Sequence, residues 1–420
     1  MTLAALFSGA SGLAANSTAL DVVGNNLANL NTTGYKTQRT LFRDQVYQLL
    51  DGGSAAGVTG SGGTNASQLG NGVTVGTIDT QFTQGAVNPT GRSLDAAISG
   101  NGFFVLRSPT GQLYSRAGNF DVDSSGFLVE PSTGNRIQRT GTAGEGSATL
   151  PGFQVAGNND IRVPIGSGVP GVPTSNVTFR GNVSSKTAVG DPAVNLTPIQ
   201  FFDSQSGSHT LSVSFTKTAD NTYSVSATAT DATVTLPPTS VTFDTSGKLL
   251  SPASLAISIT GIAGAATQTV NLNFGTPGQS TGLTQTGDAT DGAAVTQDGS
   301  GSGTLLSVSI DANGTIQGLS SNGRTVPVAQ LAIASFNNQG GLIRAGTNTF
   351  STGPGSGEPL IGSANTGGRG AISGGALEGA GVDIAVEFSR LIIAQRGFQV
   401  NARTISAAND TLQELANIIR

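Results

Sequence analysis

His209 is the one histidine in the chain and cysteine is absent, so any nucleophilic catalysis would run through Ser206-Gly207-Ser208-His209. A Ser-His-Asp triad needs a histidine that takes the serine proton and an acid that orients it. This run reads instead as a turn entering a strand, with His209 an exposed or hairpin residue. One histidine and no cysteine also exclude a structural zinc site. Asp121-Val122-Asp123-Ser124-Ser125-Gly126 opens like a calcium loop, but its twelfth position is Ser132, where such a loop needs a bidentate glutamate. Gly100-Asn101-Gly102 lacks the third glycine and the helix of a dinucleotide fingerprint; it leads into the apolar strand Phe103-Phe104-Val105-Leu106. Asn176-Val177-Thr178 and similar sequons are chance matches. The residues imply no catalysis, no cofactor and no metal.

The composition agrees. Charged residues make up 11% of the 420 positions and the formal net charge is −5, against about 25% charged in an ordinary globular domain. Gly, at 61 copies, with Ser, Thr, Ala and Asn fills the difference, a mix that suits strands with polar faces and tight turns. Clustered Lys and Arg for nucleic acid are missing. No apolar run is long enough to span a bilayer. Met1-Thr2-Leu3-Ala4-Ala5-Leu6-Phe7 has no basic n-region, which argues against a cleaved secretory signal.

What remains is two seams. Leu3, Leu6, Ala10, Leu13, Ser17, Leu20, Gly24 and Leu27 alternate by three and four, the spacing of a coiled coil. Thr2 is the expected N-cap and Asn29-Leu30-Asn31-Thr32-Thr33-Gly34 the stop. At the other end Ile384, Phe388, Leu391, Gln395, Phe398, Ala402, Ile405, Asn409, Leu412, Ala416 and Ile419 repeat the pattern. Gln395 and Asn409 read as buried amides that fix register, and Ser17 and Gly24 as weak points. Asp383 and Glu387 near the start and Arg420 at the end suit the macrodipole. Such a helix is roughly 55 Å long and needs a partner.

Between the seams the pattern is β. Leu211-Ser212-Val213-Ser214-Phe215 and Leu306-Ser307-Val308-Ser309-Ile310 alternate strictly. An Asp-x-x-Gly hairpin signature recurs at Asp123, Asp244 and Asp311. The expected fold is mainly β with α-helical coiled-coil termini: long N- and C-terminal helices flank two antiparallel β domains, the outer inserted in the inner. Residues 1–34 and 382–420 form the helical domain, and 35–72, with the Gly/Ser-rich run from 51, a flexible connecting stretch. Residues 73–149 and 286–381 form the inner β domain, and 150–285 the inserted outer one.

The end segments resemble a known family. Ser11-Gly12-Leu13, Leu20-Asp21-Val22, Asn25-Asn26-Leu27-Ala28-Asn29 and Thr33-Gly34-Tyr35-Lys36 are similar to the N-terminal signature of bacterial flagellar rod and hook proteins. Val382-Asp383-Ile384, Ile393-Ala394-Gln395-Arg396, Phe398-Gln399-Val400-Asn401-Ala402-Arg403 and Leu412-Gln413-Glu414-Leu415 resemble its C-terminal signature. Ile98-Ser99-Gly100-Asn101-Gly102-Phe103-Phe104, Ala117-Gly118-Asn119-Phe120 and Ser373-Gly374-Gly375-Ala376-Leu377-Glu378 resemble the shared β domain. The block at 150–285 resembles the outer domain of the hook branch. Gly397 departs from the family pattern and marks a locally soft helix.

The resemblance implies a helical homopolymer, a curved tube carrying torque from rod to filament. The seam residues Leu3, Leu6, Leu13, Leu20, Leu27, Ile384, Phe388, Leu391, Gln395, Phe398, Ile405, Asn409, Leu412 and Ile419 would pack subunits together. It also implies partners: distal rod and hook-filament junction proteins, the hook cap, and the flagellar type III export apparatus, with no nucleic acid and no membrane insertion. The site would be the hook outside the cell, reached without a cleaved signal. The rival readings are a distal rod protein and a Gly/Ser-rich secreted adhesin. A polysaccharide-cleaving enzyme is disfavoured, because the chain has no Trp and four Tyr for sugar stacking.

Overall fold

The computed structural model describes residues 2–55, 62–147, 152–195, 198–291 and 293–418. Helix α1 spans Thr2–Ala28 and α2 spans Ile384–Ile418. Asp383 caps α2, its Oδ1 accepting from the N–H groups of Ala385 (2.9 Å) and Val386 (3.1 Å); two donors that the first turn leaves open are thereby filled. Past the end of α1, Gly34 turns the chain at φ +67 with its Cα against the backbone of Arg116, where no side chain fits. Ile419 and Arg420 lie outside the described residues.

All three hairpin signatures close as their chemistry demands. The Oδ1 atoms of Asp123, Asp244 and Asp311 each accept two backbone N–H groups across the turn. The glycine three positions on, Gly126, Gly247 or Gly314, takes the positive φ.

Among the described residues the two larger apolar cores follow, beside a smaller cluster around Phe103, Tyr114, Phe336 and Phe350. The inner one gathers Ile98, Phe104, Phe120, Leu128, Ile316 and Ile333 among others, under a nine-stranded and a four-stranded sheet. The outer one gathers Phe179, Phe201, Phe215, Tyr223, Ile257 and Phe274 from two six-stranded sheets that share it. Nearly all pairing is antiparallel. Among the described residues, the strand Asn176–Asn182 runs parallel to Gln268–Asn273 and Leu283–Thr284, and Glu145 and Gln154 form a parallel bridge.

Two expected boundaries move. Phe153, Ile161, Val163 and Val169 belong to the inner core, and strand Gly168–Val169 pairs with Gly303–Ile310. Strand Ala293–Gln297 pairs in the outer sheet. The chain therefore crosses between bodies near 170–176 and 298–302, not at 150 and 285. The Gly- and Pro-rich sequence at 150–170 looks like a boundary. In fact residues 152–170 follow the inner body through isolated bridges such as Phe127 to Arg162, plugging single apolar side chains inward.

Residues 35–72 are likewise no mere connection. They hold β1 (Gln38–Asp44), β2 (Tyr47–Asp51) and β3 (Ser67–Gly70), followed by β4 (Val73–Thr80). β1 pairs antiparallel with β4 and β2 with β3, and the Gln45 N–H donates to the Gly72 carbonyl at 2.9 Å, carrying the ribbon across the break. The partner strands lie beyond a Gly/Ser-rich loop, so no local window shows the pairing. Residues 56–61 of that stretch lie outside the described residues.

Candidate assembly surface and the junction beneath it

The segments that carry the family signatures meet at one buried cluster. Glu378 accepts from Lys36 Nζ at 2.7 Å and from Arg116 Nη1 at 3.4 Å, all three side chains sealed from solvent. The Gly85 N–H gives Glu378 Oε1 a further bond at 2.9 Å. Lys36 also donates to the Thr83 carbonyl (2.8 Å) and Arg116 to the Gly100 carbonyl (2.8 Å). The Arg116 guanidinium stands 5.2 Å from the Phe103 ring centroid. Burial, and then the neighbouring Arg116 charge, hold the Lys36 ammonium below its ordinary pKa, with Glu378 pulling the other way. Burial also lowers Arg116, again against Glu378. One carboxylate thus serves two buried cations, and removing it would leave both uncompensated.

A second network ties the helices to that junction. Asn26, fully buried, donates to the Gln38 carbonyl at 2.8 Å and to Glu387 Oε2 at 3.1 Å. Its Oδ1 accepts from the Gln38 N–H (2.9 Å) and the Tyr35 hydroxyl (3.2 Å). Glu387 in turn accepts from Arg390 at 2.7 Å. Arg344 donates to the Lys36 carbonyl and stacks over Tyr35. Burial raises the Tyr35 pKa, against the opposing pull of Arg344. These polar residues lie off both seams, which is why a search for apolar periodicity passes over them. The signal in the sequence was Asn25-Asn26 and Tyr35-Lys36 inside the N-terminal signature, with nothing to mark Glu387 or Arg344 as members of this network.

The helices pack antiparallel, and the contact is not the one the leucines describe. A Cβ on Gly9 would come within 2.9 Å of Ile405, one on Gly12 within 2.7 Å of Asn401, and one on Gly397 within 2.5 Å of Asn16. Small residues therefore let the two backbones approach closely. Gly397 is a packing requirement, not a soft spot. The amides in the contact are Asn16 and Asn401, which bond back to the Gly12 and Gly397 carbonyls at 2.7 and 2.9 Å. Gln395 and Asn409, expected as buried register amides, are both exposed, and Gly24 has open space around it. The reason is rotational: the small-residue stripe is offset around each helix from the large apolar one.

The described seam residues fall into two sets. Leu6, Leu13, Leu20 and Leu27 on α1 and Leu391, Phe398, Ile405 and Leu412 on α2 are half-buried, flanking the contact. Ile384 and Phe388 are 46% and 52% exposed. Ile392 and Val400, outside the expected seam, join them at 55% and 62%, and Phe7 on α1 stands at 69%. The half-buried set lies along the paired helices, and the others face solvent in the single molecule. Leu3 lies in α1, but its side chain, like Ile419, lies outside the described residues.

His209 stands in a hairpin, opposite Phe201 where Ile199–Phe202 pairs with Ser208–Ala219, but it is not exposed. Its Nε2 lies 3.0 Å from Asp203 and its Nδ1 2.7 Å from Asp231, with the side chain about 10% exposed. Burial alone would lower its pKa, but the two carboxylates outweigh that and raise it above 6.5. Burial would raise the Asp203 carboxyl; the His209 bond and the Gly207 and Gln205 N–H groups override it and hold it below 3.8. The Ser206 hydroxyl accepts from the Gly171 N–H at 2.9 Å. The histidine clamps two loops.

Comparison with known proteins agrees with this organisation. Residues 6–36 match the family described as "Flagella basal body rod protein" and residues 373–418 "Flagellar basal body rod FlgEFG protein C-terminal". Residues 97–184 match "Flagellar hook protein FlgE/F/G D1 domain" and 186–300 "Flagellar basal body protein FlaE D2 domain". The chain is 37% identical to the flagellar hook protein FlgE of Borreliella burgdorferi, covering 98% of this chain and 99% of that one. It is 35% identical to the hook protein FlgE of Escherichia coli, at 97% and 98% coverage. Against the Bacillus subtilis basal-body rod protein FlgG, identity falls to 27% with both chains fully covered.

Proposed function

The chain belongs to the flagellar hook protein family and is a structural subunit of the bacterial flagellar hook; from that premise we propose that it polymerises helically into a flexible curved tube. In this reading the paired terminal helices line the inside, the inner β body forms the middle layer and the outer β body faces solvent. The tube passes motor torque from rod to filament.

The observation that carries this reading is the apolar surface left on the helix pair. Inside the protomer the helices spend their small residues on each other, while Phe7, Ile384, Phe388, Ile392 and Val400 face water. Large apolar side chains facing water at the four-residue spacing of Ile384, Phe388 and Ile392 suit an interaction surface. The seam residues, half-buried and exposed alike, are then the subunit contacts. A single repeated contact that does not close on itself gives a helical polymer. The reading extends to the distal rod, the hook-filament junction and the hook cap as neighbours at the two ends, and to export through the flagellar type III channel. On the outside, hydroxyl pairs such as Ser214 with Ser226 (2.6 Å apart) leave a neutral polar face suited to sliding during bending.

The test is electron microscopy of polymer grown from the purified chain and from a chain lacking residues 384–420. Curved tubes from the first and none from the second, with the β bodies still folded by circular dichroism, is the expected result. Tubes from the truncated chain would remove the helices from the mechanism. A straight rigid shaft would favour a rod role.

A further inference from the structure

Four turns of the described chain share one hydrogen-bond pattern. Asp123, Asp244, Asp311 and Asp203 each accept, through Oδ1, the N–H groups two and four positions on. In each, the N–H three positions on donates to the Asp carbonyl at 3.0 to 3.1 Å. The residue at that third position is held in the left-handed region. Gly126, Gly247 and Gly314 take it at φ +82, +80 and +80, but in the fourth turn it is Ser206, at φ +70. A side chain is disfavoured there, so the serine raises the question of what its hydroxyl does.

The hydroxyl reaches the neck between the two β bodies. The two crossings meet there in one rung, Val172 and Ser300 each donating an N–H to the other's carbonyl at 2.9 Å. On the outer side Asp298 closes the neck, accepting from the Ser175 and Asn176 N–H groups at 2.7 and 2.9 Å. On the inner side the Gly301 carbonyl accepts from Asn322 Nδ2 at 2.8 Å. Each end is thus tied to its own body, while a single rung between small residues resists separation but not tilt.

Two contacts from the outer body land on the inner half of this neck. Ser206 Oγ accepts from the Gly171 N–H at 2.9 Å, and the Phe202 ring lies 3.3 Å from where a Cβ on Gly301 would stand. The approach is close: a Cβ on Gly171 would come 2.7 Å from Ser206 Oγ and 2.2 Å from the Ser300 carbonyl oxygen. Behind the turn, His209 Nε2 braces Asp203 Oδ2 at 3.0 Å.

We propose that Ser206 is a positioning residue that fixes the angle of the outer β body on the inner one, its hydroxyl holding the Gly171 N–H so that the bodies do not tilt about the Val172–Ser300 rung. A glycine would suit the turn, as it does in the other three, but would leave that N–H without this acceptor. The angle is a property of the single chain. Its consequence for a polymer, that the outer bodies of all subunits point alike, rests on the assembly reading.

The chain has no cysteine, so spin labels on Thr110→Cys of the inner body and Ala219→Cys of the outer one, both exposed positions, report the angle alone. Pulsed electron paramagnetic resonance of the unassembled full chain with Ser206 in place should give one narrow distance distribution. Ser206→Gly should broaden it, and the Gly171 amide should lose about fivefold of its protection from hydrogen exchange, the scale of one hydrogen bond. The melting curve of the outer body should stay where it is, because relief of the left-handed strain offsets the lost bond. A serine that only builds the turn predicts the reverse, a shifted melt at unchanged distances. A distribution as narrow in Ser206→Gly as in the unaltered chain would overturn the assignment. Ser206→Ala, which keeps the strain and loses the hydroxyl, should broaden the distances equally and also melt lower; unchanged distances there would overturn it too. In electron micrographs, Ser206→Gly tubes should lose their uniform outer layer. Tubes with ordered outer bodies would remove the consequence for assembly and leave the angle standing. Absence of tubes from the unaltered chain would remove the assembly reading alone.

Discussion

The outer β body and the helix end are built on opposite principles. The outer body closes a complete core of Phe, Tyr, Val, Leu and Ile between two sheets and presents hydroxyls to water. The helix end keeps glycines, asparagines and a three-charge cluster inside, and puts Phe and Ile outside. The first is finished as a single molecule. In the proposed assembly the second is finished by neighbours, and its buried charges fix where the helices leave the body while adding little net stability.

The sharpest way to break that contrast is Glu378→Gln. It leaves Lys36 and Arg116 buried without their counter-charge and should cost about 3–5 kcal/mol, read by urea unfolding of the helix end and inner body. A loss below about 1 kcal/mol would mean that water relieves the cluster. Phe215→Ala in the outer core should cost a similar 3–5 kcal/mol or so, but in a transition confined to the outer body, with tube assembly retained below its midpoint. Coupled melting of both bodies would erase the distinction. Gly12→Val should push the helices apart at an overpacking cost of about 1–3 kcal/mol, seen as lost helical signal, whereas Gly24→Ala, with open space around it, should be neutral or slightly stabilising.

The smallest effect concerns His209. A raised histidine pKa contributes stability that is complete below 6.5 and fades as pH rises through the folded value. Asp203, held below 3.8, contributes stability that is complete above that value and fades as pH falls through the folded one. The outer body should therefore melt highest in weak acid and lose a little on the alkaline side, and His209→Asn should flatten that slope. A slope unchanged by the substitution would remove the clamp.

Much of this was legible in the sequence. Both terminal helices, the stop after Ala28 and the three Asp-Gly hairpins follow from local chemistry, and each stands where its residues put it. The seams showed that apolar stripes exist but not which stripe faces inward. That choice turned on Gly9, Gly12 and Gly397, whose value lies in the close approach of another helix and cannot show in one helix's periodicity. The ribbon at 38–80 and the junction of Lys36, Arg116 and Glu378 were hidden because their partners are distant in the chain. Glu378 lies 342 positions from Lys36. The hairpin around His209 was legible, but its shielding was not, because Asp231 approaches only once two strands have paired.

The central claim is that the apolar face left on the helix pair is completed by other subunits, and Phe388→Asp tests it most directly. The side chain is 52% exposed in the single molecule, so the substitution should leave the melting curve of the unassembled chain unchanged while tubes disappear from electron micrographs. Tubes of normal number and curvature from Phe388→Asp would contradict the account.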